Sequence, residues 1–475
     1  SFSCGGAVMP VLMVKKAIVA GIFAHEPAFL EKMPGWGEDV PLCIDSRSVP
    51  EQSIFFAIKG EVHDGHDFIE EARAQGASLV VAEKYVESKI PLILVNDPLK
   101  TFSRIAHRHL LSMPALRIAL TGSNGKTTVK EMIKAGLSAV LGSQAVYANP
   151  GTLNNHFGVP LSALEVNPRH QVAIFELGMN HQGEIADLCE IVEPQIGLVT
   201  NIGVAHQGNF TDGILGVQKA KGELFLALAQ GHAVINMEDE RVLAEANSQS
   251  FAHKTTFGSV GKSDIWLEER KNFCVNSGLQ PISIEQKDGS RVDFNIPLPG
   301  IHHAKNAVAA LAVIKALGYP VEIAAQGLVN MTTTGGRMSL SVVDRCLLIN
   351  DGYNANPLSM EAGILACLEF EAPRRLAVIG AMGELGPLSD RYHFELGQLL
   401  AKHFQKIFVC GELAVAVIKG AESQGLKAPD VVYKNTSEEL IEPVRRVMGQ
   451  QDLIFIKGSK FTKMQVLARA LAEKI

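Results

Sequence analysis

The run Ala119-Leu120-Thr121-Gly122-Ser123-Asn124-Gly125-Lys126-Thr127-Thr128 joins an apolar strand, Leu116 to Leu120, to a segment from Val129 to Val140 whose apolar residues fall at helical spacing. Small residues between the two let backbone N–H groups converge on phosphate oxygens, at a helix N-terminus whose partial positive charge favours anions. Lys126 would then reach the outer phosphates of a nucleoside triphosphate, and the Thr127 hydroxyl would hold Mg²⁺. The loop is shorter than a full Walker A, which requires Gly where this chain has Leu120.

Other reactive side chains collect where a parallel sheet presents ligands, beyond the carboxyl ends of its strands. Glu176 closes the apolar run from Val172, and His206 follows the run Ile196 to Asn201. With Thr127 they supply a carboxylate, an imidazole and a hydroxyl, which suit hard divalent ions beside a triphosphate. Singly, each has an ordinary reading too: a strand-end carboxylate often caps a helix, and a histidine in a Gly-rich loop is usually solvated. Lys221 lies in a helical stretch, Gly216 to Leu228, where a lysine normally runs its stem along the surface. Were it buried, its neutral amine would become accessible.

Asn306 belongs to Gly300-Ile301-His302-His303-Ala304-Lys305-Asn306-Ala307, ahead of an Ala-rich helix, and reads either as a purine contact or as a helix-start residue. The loops Gly336-Arg337-Met338, Asn350 to Pro357 and Lys457-Gly458-Ser459 suit an interdomain cleft, and plain turn chemistry also explains their Gly, Asn and Pro. Near the start, Asp45-Ser46-Arg47 and His63-Asp64-Gly65-His66 are polar clusters beside strands. No Cys or carboxylate set completes a zinc site there.

The elements that must hold these residues form three blocks of alternating strands and helices, as 475 residues exceed one core. The expected domains are 1–113, 114–331 and 332–475. The first holds strands near Ser53 to Ile58 and Ser78 to Ala82 and closes on a helix through Arg104, His107 and Arg108. The second carries strands at Val172 to Leu177, Ile196 to Thr200 and Ala233 to Asn236. The third follows a small-residue linker, Thr332 to Gly336, with strands at Cys346 to Asn350, Leu376 to Gly380, Lys406 to Cys410 and Leu453 to Ile456. This alternation predicts an α/β fold with mostly parallel sheets; the third block reads as Rossmann-like without a G-x-G-x-x-G fingerprint.

A 47% apolar share with 20% charged residues describes a globular α/β protein, and the net charge of −6 argues against bulk nucleic-acid binding. The seven scattered cysteines contain no C-x-x-C pair and read as reduced thiols of a cytoplasmic protein. No apolar run reaches the roughly 18 residues of a membrane span. Lys15-Lys16 and the apolar run to Ala24 faintly imitate a signal peptide, but no small-residue cleavage site follows, so a first helix is expected there. Residues 1 to about 9 read as a cloning remnant, since the chain opens on Ser.

After about residue 40 these segments resemble the Mur ligases of peptidoglycan synthesis. The T-G-x-N-G-K-T loop is the form used by that family and its folylpolyglutamate synthase relatives. Asp351-Gly352-Tyr353-Asn354-Ala355-Asn356-Pro357, Asn154 to Pro160 and Glu176 to Asn180 resemble the family member that adds D-alanyl-D-alanine. The sister ligase that adds the third amino acid carries an Asp-Asn-Pro-Arg motif absent here, and is the alternative reading.

The resemblance implies a UDP-substrate-binding N-terminal domain, a central P-loop ATPase domain and a C-terminal Rossmann-like domain. It makes Gly122, Ser123, Asn124, Gly125, Lys126, Thr127 and Thr128 the phosphate cradle. It puts Thr127 and Glu176 on a first Mg²⁺, and His206 and Lys221, carbamylated by CO₂, on a second. Asn306 would contact adenine, and Arg337 and Asp351 would close the ATP site. Ser46, Arg47, Asp64, Gly65 and His66 would receive the UDP end of the substrate, with Asn154, Asn155, Tyr353, Asn354 and Asn356 nearer the reaction. The implied partners are UDP-N-acetylmuramoyl-tripeptide and D-alanyl-D-alanine, with no nucleic acid or membrane, for a monomeric cytoplasmic enzyme working through an acyl phosphate. A nucleotide-binding module without ligase chemistry would not need the metal set, and a small-molecule kinase would not need a third block. Three positions depart from the family pattern: His303 replaces an Asn, Gly335 a Pro and Gly352 a Ser.

Overall fold

The computed structural model describes residues 11–24, 36–60, 62–205, 207–331, 335–427 and 429–473. Residues 1 to about 9, His206 and most of the linker at 332–336 lie outside the described residues. By compactness the chain divides into two units, one comprising residues to 119 with 144–177 and 186–194, the other 120–143, 178–185 and 195–475.

In the first unit, β1 (Leu12–Lys15), β2 (Asp39–Cys43), β3 (Ser53–Phe56), β4 (Ala77–Ala82) and β5 (Leu92–Leu94) form a sheet in that order. The helix expected near residue 17 is present as Lys16–Ile22, but a strand precedes it: β1 runs antiparallel to β2, while the other pairs are parallel. That strand is only four residues long, with burial alternating along it, too short a run for periodicity to separate strand from helix. The helix Pro98–Leu111 starts with Asp97 accepting a hydrogen bond from the Lys100 N–H and proline in its first turn, two helix-start signals acting together. In the same unit β7 (Val146–Ala148) lies parallel to β8 (Val172–Glu176).

In the second unit β9 (Ile196–Val199), β10 (His232–Asn236), β11 (His253–Gly258) and β12 (Ile265–Arg270) pair in parallel, and β13 (Gln280–Gln286) and β14 (Arg291–Ile296) continue antiparallel. That antiparallel meander departs from the expected alternation of strands and helices. β14 buries every second residue, the mark of a sheet with one wet face. β6 (Leu116–Thr121) carries the boundary between the units and leads into the helix Lys126–Leu141. The Ala-rich helix Ile301–Ala316 buries ten of its side chains.

The last sheet runs β15-β16-β20-β17-β18-β19, with β15 (Ser339–Val343) antiparallel and β16 (Cys346–Asp351), β20 (Leu453–Lys457), β17 (Arg375–Gly380), β18 (Lys406–Cys410) and β19 (Val431–Lys434) parallel. Apolar layers cover both faces, which the near-continuous hydrophobic strands require. The register sets Asp351 beside Lys457 and Lys457 beside Ile379, so the polar ends of β16 and β20 meet at the sheet's carboxyl edge. Among the described residues no helix is long and apolar enough to cross a membrane.

Candidate functional site

β6 delivers buried Ile118, Ala119 and Leu120 into the sheet and then turns sharply. Gly122 has φ +147°, and a Cβ there would fall 1.9 Å from the Thr200 hydroxyl; Gly125 has φ +81°, and its Cβ would fall 2.6 Å from Asn306 Oδ1. Only glycine fits either position. The turn is pinned from the next strand's loop: Ser123 N–H donates to Asn201 O at 2.9 Å, Asn124 N–H to Asn201 Oδ1 at 3.0 Å, and the Thr200 hydroxyl to Asn124 O at 2.7 Å. Gly125 caps the helix Lys126–Leu141 without a side-chain bond, which leaves the dipole's positive end uncompensated by any capping side chain.

Two lysine amines share one carbonyl at this turn. Lys126 Nζ donates to Gly122 O at 2.6 Å and Lys221 Nζ to the same oxygen at 3.1 Å. Lys221 is 1% exposed, so the surface reading of this lysine fails. Burial, with the Lys126 charge as the smaller cause, holds its pKa well below the usual lysine value.

Residues of the C-terminal third converge on the same loop. Arg337 Nη2 donates to the Thr127 hydroxyl at 3.0 Å, and its guanidinium lies 4.2 Å from the centre of the Tyr353 ring, a stacking arrangement suited to arginine. Asn356 Nδ2 donates to Asn124 Oδ1 at 2.7 Å, while its Oδ1 caps the helix Pro357–Cys367 in a capping box with Ser359. Asp351 spends its carboxylate locally, accepting from the Lys457 amine and, at 3.1 Å, from the Met338 N–H next to Arg337. Lys457 also donates to Asn354 O at 3.2 Å, and Ser459 N–H to Ala381 O at 3.1 Å. Lys457 and Ser459 were legible only as loop residues; the parallel register that sets Lys457 beside Asp351 is not written in either local segment.

In the first unit Glu176 is 1% exposed at the end of β8. Its Oε1 accepts from Asn154 Nδ2 at 2.8 Å, and its backbone N–H donates to Asn149 Oδ1 at 2.8 Å. Asn149 is a buried organiser that no motif pointed to. Asn155 Oδ1 accepts from the N–H groups of Phe157 and Gly158, a turn function. Ser46 is buried and donates to Glu71 at 3.3 Å, whereas Arg47 reaches into solvent from its ion pair with Asp45. His66 is buried, with Nε2 accepting from the Glu83 N–H and Nδ1 at 2.6 Å from Asp64 Oδ1. The turn is held from within, since the His66 N–H donates to Asp64 Oδ1 at 3.0 Å and the Gly65 N–H to Ile58 O at 2.9 Å. His206 lies outside the described residues.

Three family models match the chain: "Mur ligase family, catalytic domain" over residues 41–107, "Mur ligase middle domain" over 120–314, and "Mur ligase, glutamate ligase domain" over 336–460. The UDP-N-acetylmuramoyl-tripeptide--D-alanyl-D-alanine ligase of Escherichia coli K12 is 33% identical over 454 residues, spanning 92% of this chain and 95% of that one. The Bacillus subtilis enzyme of the same name is 32% identical over 436 residues, 90% of this chain and 92% of that one. Among solved structures, MurF from Acinetobacter baumannii superposes with a TM-score of 0.85 at 30% identity, covering 98% of this chain and all of that one. MurF from Thermotoga maritima in complex with ADP gives 0.80 at 26% identity, with coverage of 91% and 96%.

Proposed function

Because the chain belongs to the Mur ligase family, we propose that it is an ATP-dependent amide ligase that joins UDP-N-acetylmuramoyl-tripeptide to D-alanyl-D-alanine in the cytoplasm, acting as a monomer. The observation that carries the reading is the near-full-length likeness to ligases of that name, at 33% identity over 95% of the Escherichia coli protein. The pair of contacts from Arg337 and Asn356 onto Thr127 and Asn124 supports it, since a ligase of this kind brings its C-terminal domain to the nucleotide.

A carboxylate is inert to amines at neutral pH, so the terminal phosphoryl group of ATP first moves to the tripeptide's terminal carboxylate, giving an acyl phosphate and ADP. Lys126 and the positive end of the helix it opens meet the charge on the transferring group, whereas the Ser123 and Asn124 N–H groups are engaged by Asn201. Arg337 orients the phosphates from the other side, and Asn306 lies against the base. The dipeptide amine then attacks the activated carbonyl, a tetrahedral intermediate forms, and phosphate leaves as the amide is made. Asn154, Asn155, Tyr353, Asn354 and Asn356 line the reacting ends, while Ser46, Arg47 and the Asp64-Gly65-His66 turn hold the uridine diphosphate. Exclusion of water protects the acyl phosphate from hydrolysis.

The donor chemistry fits Mg²⁺: the Thr127 hydroxyl and the Glu176 carboxylate are buried hard oxygens. Each would serve as a ligand to Mg²⁺, as would His206 and a carbamate of Lys221, and the ions would supply charge neutralisation at the phosphates. Burial lowers the Lys221 pKa and so favours the unprotonated amine that CO₂ uptake requires.

The test is phosphate release from ATP and Mg²⁺ with UDP-N-acetylmuramoyl-tripeptide, with and without D-alanyl-D-alanine, recording the product mass. Release that needs both substrates and adds one dipeptide supports the reading. Release that instead needs a free amino acid and the UDP-N-acetylmuramoyl precursor carrying only two residues would make the chain a sister ligase.

A further inference from the structure

Ser459, just past β20, joins the carboxyl ends of three strands of the last sheet. Its N–H donates to Ala381 O at 3.1 Å beyond β17, and its hydroxyl donates to Ala355 O at 3.2 Å beyond β16. The same hydroxyl oxygen accepts from the Gly383 N–H at 2.8 Å. Thr462 closes the turn, its hydroxyl donating to Ser459 O at 2.6 Å, and the Met382 N–H donates to buried His393 Nε2 at 2.9 Å. A loop pinned at this many points holds its side chains in fixed places.

Phe461 is 61% exposed on that loop, although Ser459 and Thr462 to either side of it are buried. Single exposed apolar side chains are common, but this one has a backbone cleared for it: a Cβ at Gly383 would fall 3.0 Å from Phe461 Cε1. Lys460, its neighbour in the chain, is exposed as well. An aromatic ring and a cation thus stand side by side on a fixed loop at the carboxyl edge, where a parallel sheet takes its ligands.

The same edge meets the central loops. Ala355, which Ser459 holds, precedes Asn356, whose amide reaches Asn124 of the phosphate loop at 2.7 Å. Gly383, beneath Phe461, precedes Glu384, whose carbonyl accepts from the Gly208 N–H at 3.1 Å. The loop that carries Phe461 is therefore tied to both segments through which the last sheet touches the phosphate loop and the loop after β9. An amine that attacks an acyl phosphate made at the phosphate loop has to be held close to these segments.

We propose that Lys460 and Phe461 select the acceptor: Lys460 takes the free carboxylate of D-alanyl-D-alanine, and Phe461 covers the methyl group on the same carbon. The amine at the other end of the dipeptide is left to face the acyl phosphate. The identity of the acceptor rests on the proposed function. Each group of the ligand meets its chemical complement, since a carboxylate that stays charged through the reaction calls for a cation and a methyl group for apolar area. A ring already fixed by its loop loses little freedom on binding.

The experiment compares D-alanyl-D-alanine, D-alanyl-glycine and D-alanyl-D-alanine amide as acceptors, at fixed MgATP and UDP-N-acetylmuramoyl-tripeptide. The full chain, Phe461→Ala and Lys460→Gln are assayed, and their melting temperatures recorded. The parent should use D-alanyl-glycine about tenfold less well than D-alanyl-D-alanine, the effect of one missing methyl group against an apolar surface. Phe461→Ala should raise KM for D-alanyl-D-alanine about tenfold and bring the two dipeptides within about threefold of each other, with KM for ATP changed less than about twofold. Lys460→Gln should cut the preference for the acid over the amide about tenfold, as expected for loss of a hydrogen bond to a charged group. If Phe461→Ala also melts earlier, Phe461→Leu decides, because it keeps apolar area and should keep the discrimination. A parent that uses both dipeptides equally, a Phe461→Ala variant that still discriminates, or equal rises in KM for ATP and dipeptide overturn the proposal. A parent that joins no dipeptide defeats the proposed function and this inference together, whereas a parent that joins it beside variants that keep its discrimination defeats the inference alone.

Discussion

The ring of Phe273, on the connection after β12, lies 5.8 Å from the ring of Phe370 and is buried among the side chains that cover the last sheet. Beside it, Arg270 Nη1 stands 2.8 Å from Glu369 Oε1. A side chain carried by the central meander thus completes the core beneath the last sheet. Phe273→Ala should therefore cost about 3 kcal/mol or more, the usual loss for a buried phenylalanine. Urea unfolding followed by tryptophan fluorescence checks this, and a midpoint equal to the parent's would mean that the core closes without the ring.

Gly125 and Gly142 make a controlled pair on one helix. Both have positive φ, +81° and +86°, but a Cβ at Gly125 collides with Asn306 whereas one at Gly142 meets nothing within 4 Å. Alanine at Gly142 pays only the backbone cost of about 1 kcal/mol and should leave nucleotide affinity unchanged. Alanine at Gly125 pays the same backbone cost and also displaces Asn306, so MgATP affinity should fall at least about tenfold, roughly 1.4 kcal/mol. Equal affinities in the two variants would show that the Gly125 contact does not shape the site.

The phosphate loop was legible because its chemistry is local: Gly122, Gly125 and Lys126 are consecutive with the strand that feeds them and the helix that follows. The strands of the last sheet were legible for a similar reason, since a strand covered on both faces is an unbroken apolar run. Lys457 with Asp351, Asn149 with Glu176 and the buried His303 were not legible. Each depends on a pairing of segments distant in the chain, and none alters the local pattern of its own segment. The β13–β14 meander was not legible as part of the α/β alternation, because its half-polar strands, with every second residue of β14 buried, lack the unbroken apolar runs of the parallel strands.

Thiol chemistry offers a readout independent of catalysis. Cys43, Cys189, Cys346, Cys367 and Cys410 are buried, and burial pushes the Cys346 and Cys410 thiols up to about 12. Cys274 is exposed, and hydrogen bonding to the Ser277 side chain lowers its pKa from the usual thiol value. The thiolate is the reactive form, so alkylation of the folded protein at pH 7.5 with iodoacetamide should label Cys274 well ahead of these five. Peptide mass mapping after a timed quench reads it, and early labelling of Cys410 would mean that the last sheet opens.

Lys221 sets stability against chemistry. Its folded-state pKa is well below 10.5 because of burial and the Lys126 charge, whereas the unfolded chain keeps an ordinary lysine. At any pH between the two values the unfolded state binds one more proton, so the fold is penalised there, and the penalty grows as the pH falls from 10.5 towards the folded value. Lys221→Met keeps the stem, removes the amine and escapes that penalty. The variant should be more stable than the parent at pH 7 by about 1 kcal/mol, with the gain shrinking towards pH 10, as thermal melts across that range would show. On the carbamate proposed above, ligation should be lost. Lys221→Ala should likewise be inactive, yet added formate or acetate should restore part of its turnover by standing in for the carbamate's oxygens. Full activity in Lys221→Ala without any added carboxylate would remove the lysine from the mechanism, and a Lys221→Met variant less stable at pH 7 would mean that the bond to Gly122 O outweighs the cost of burying the amine.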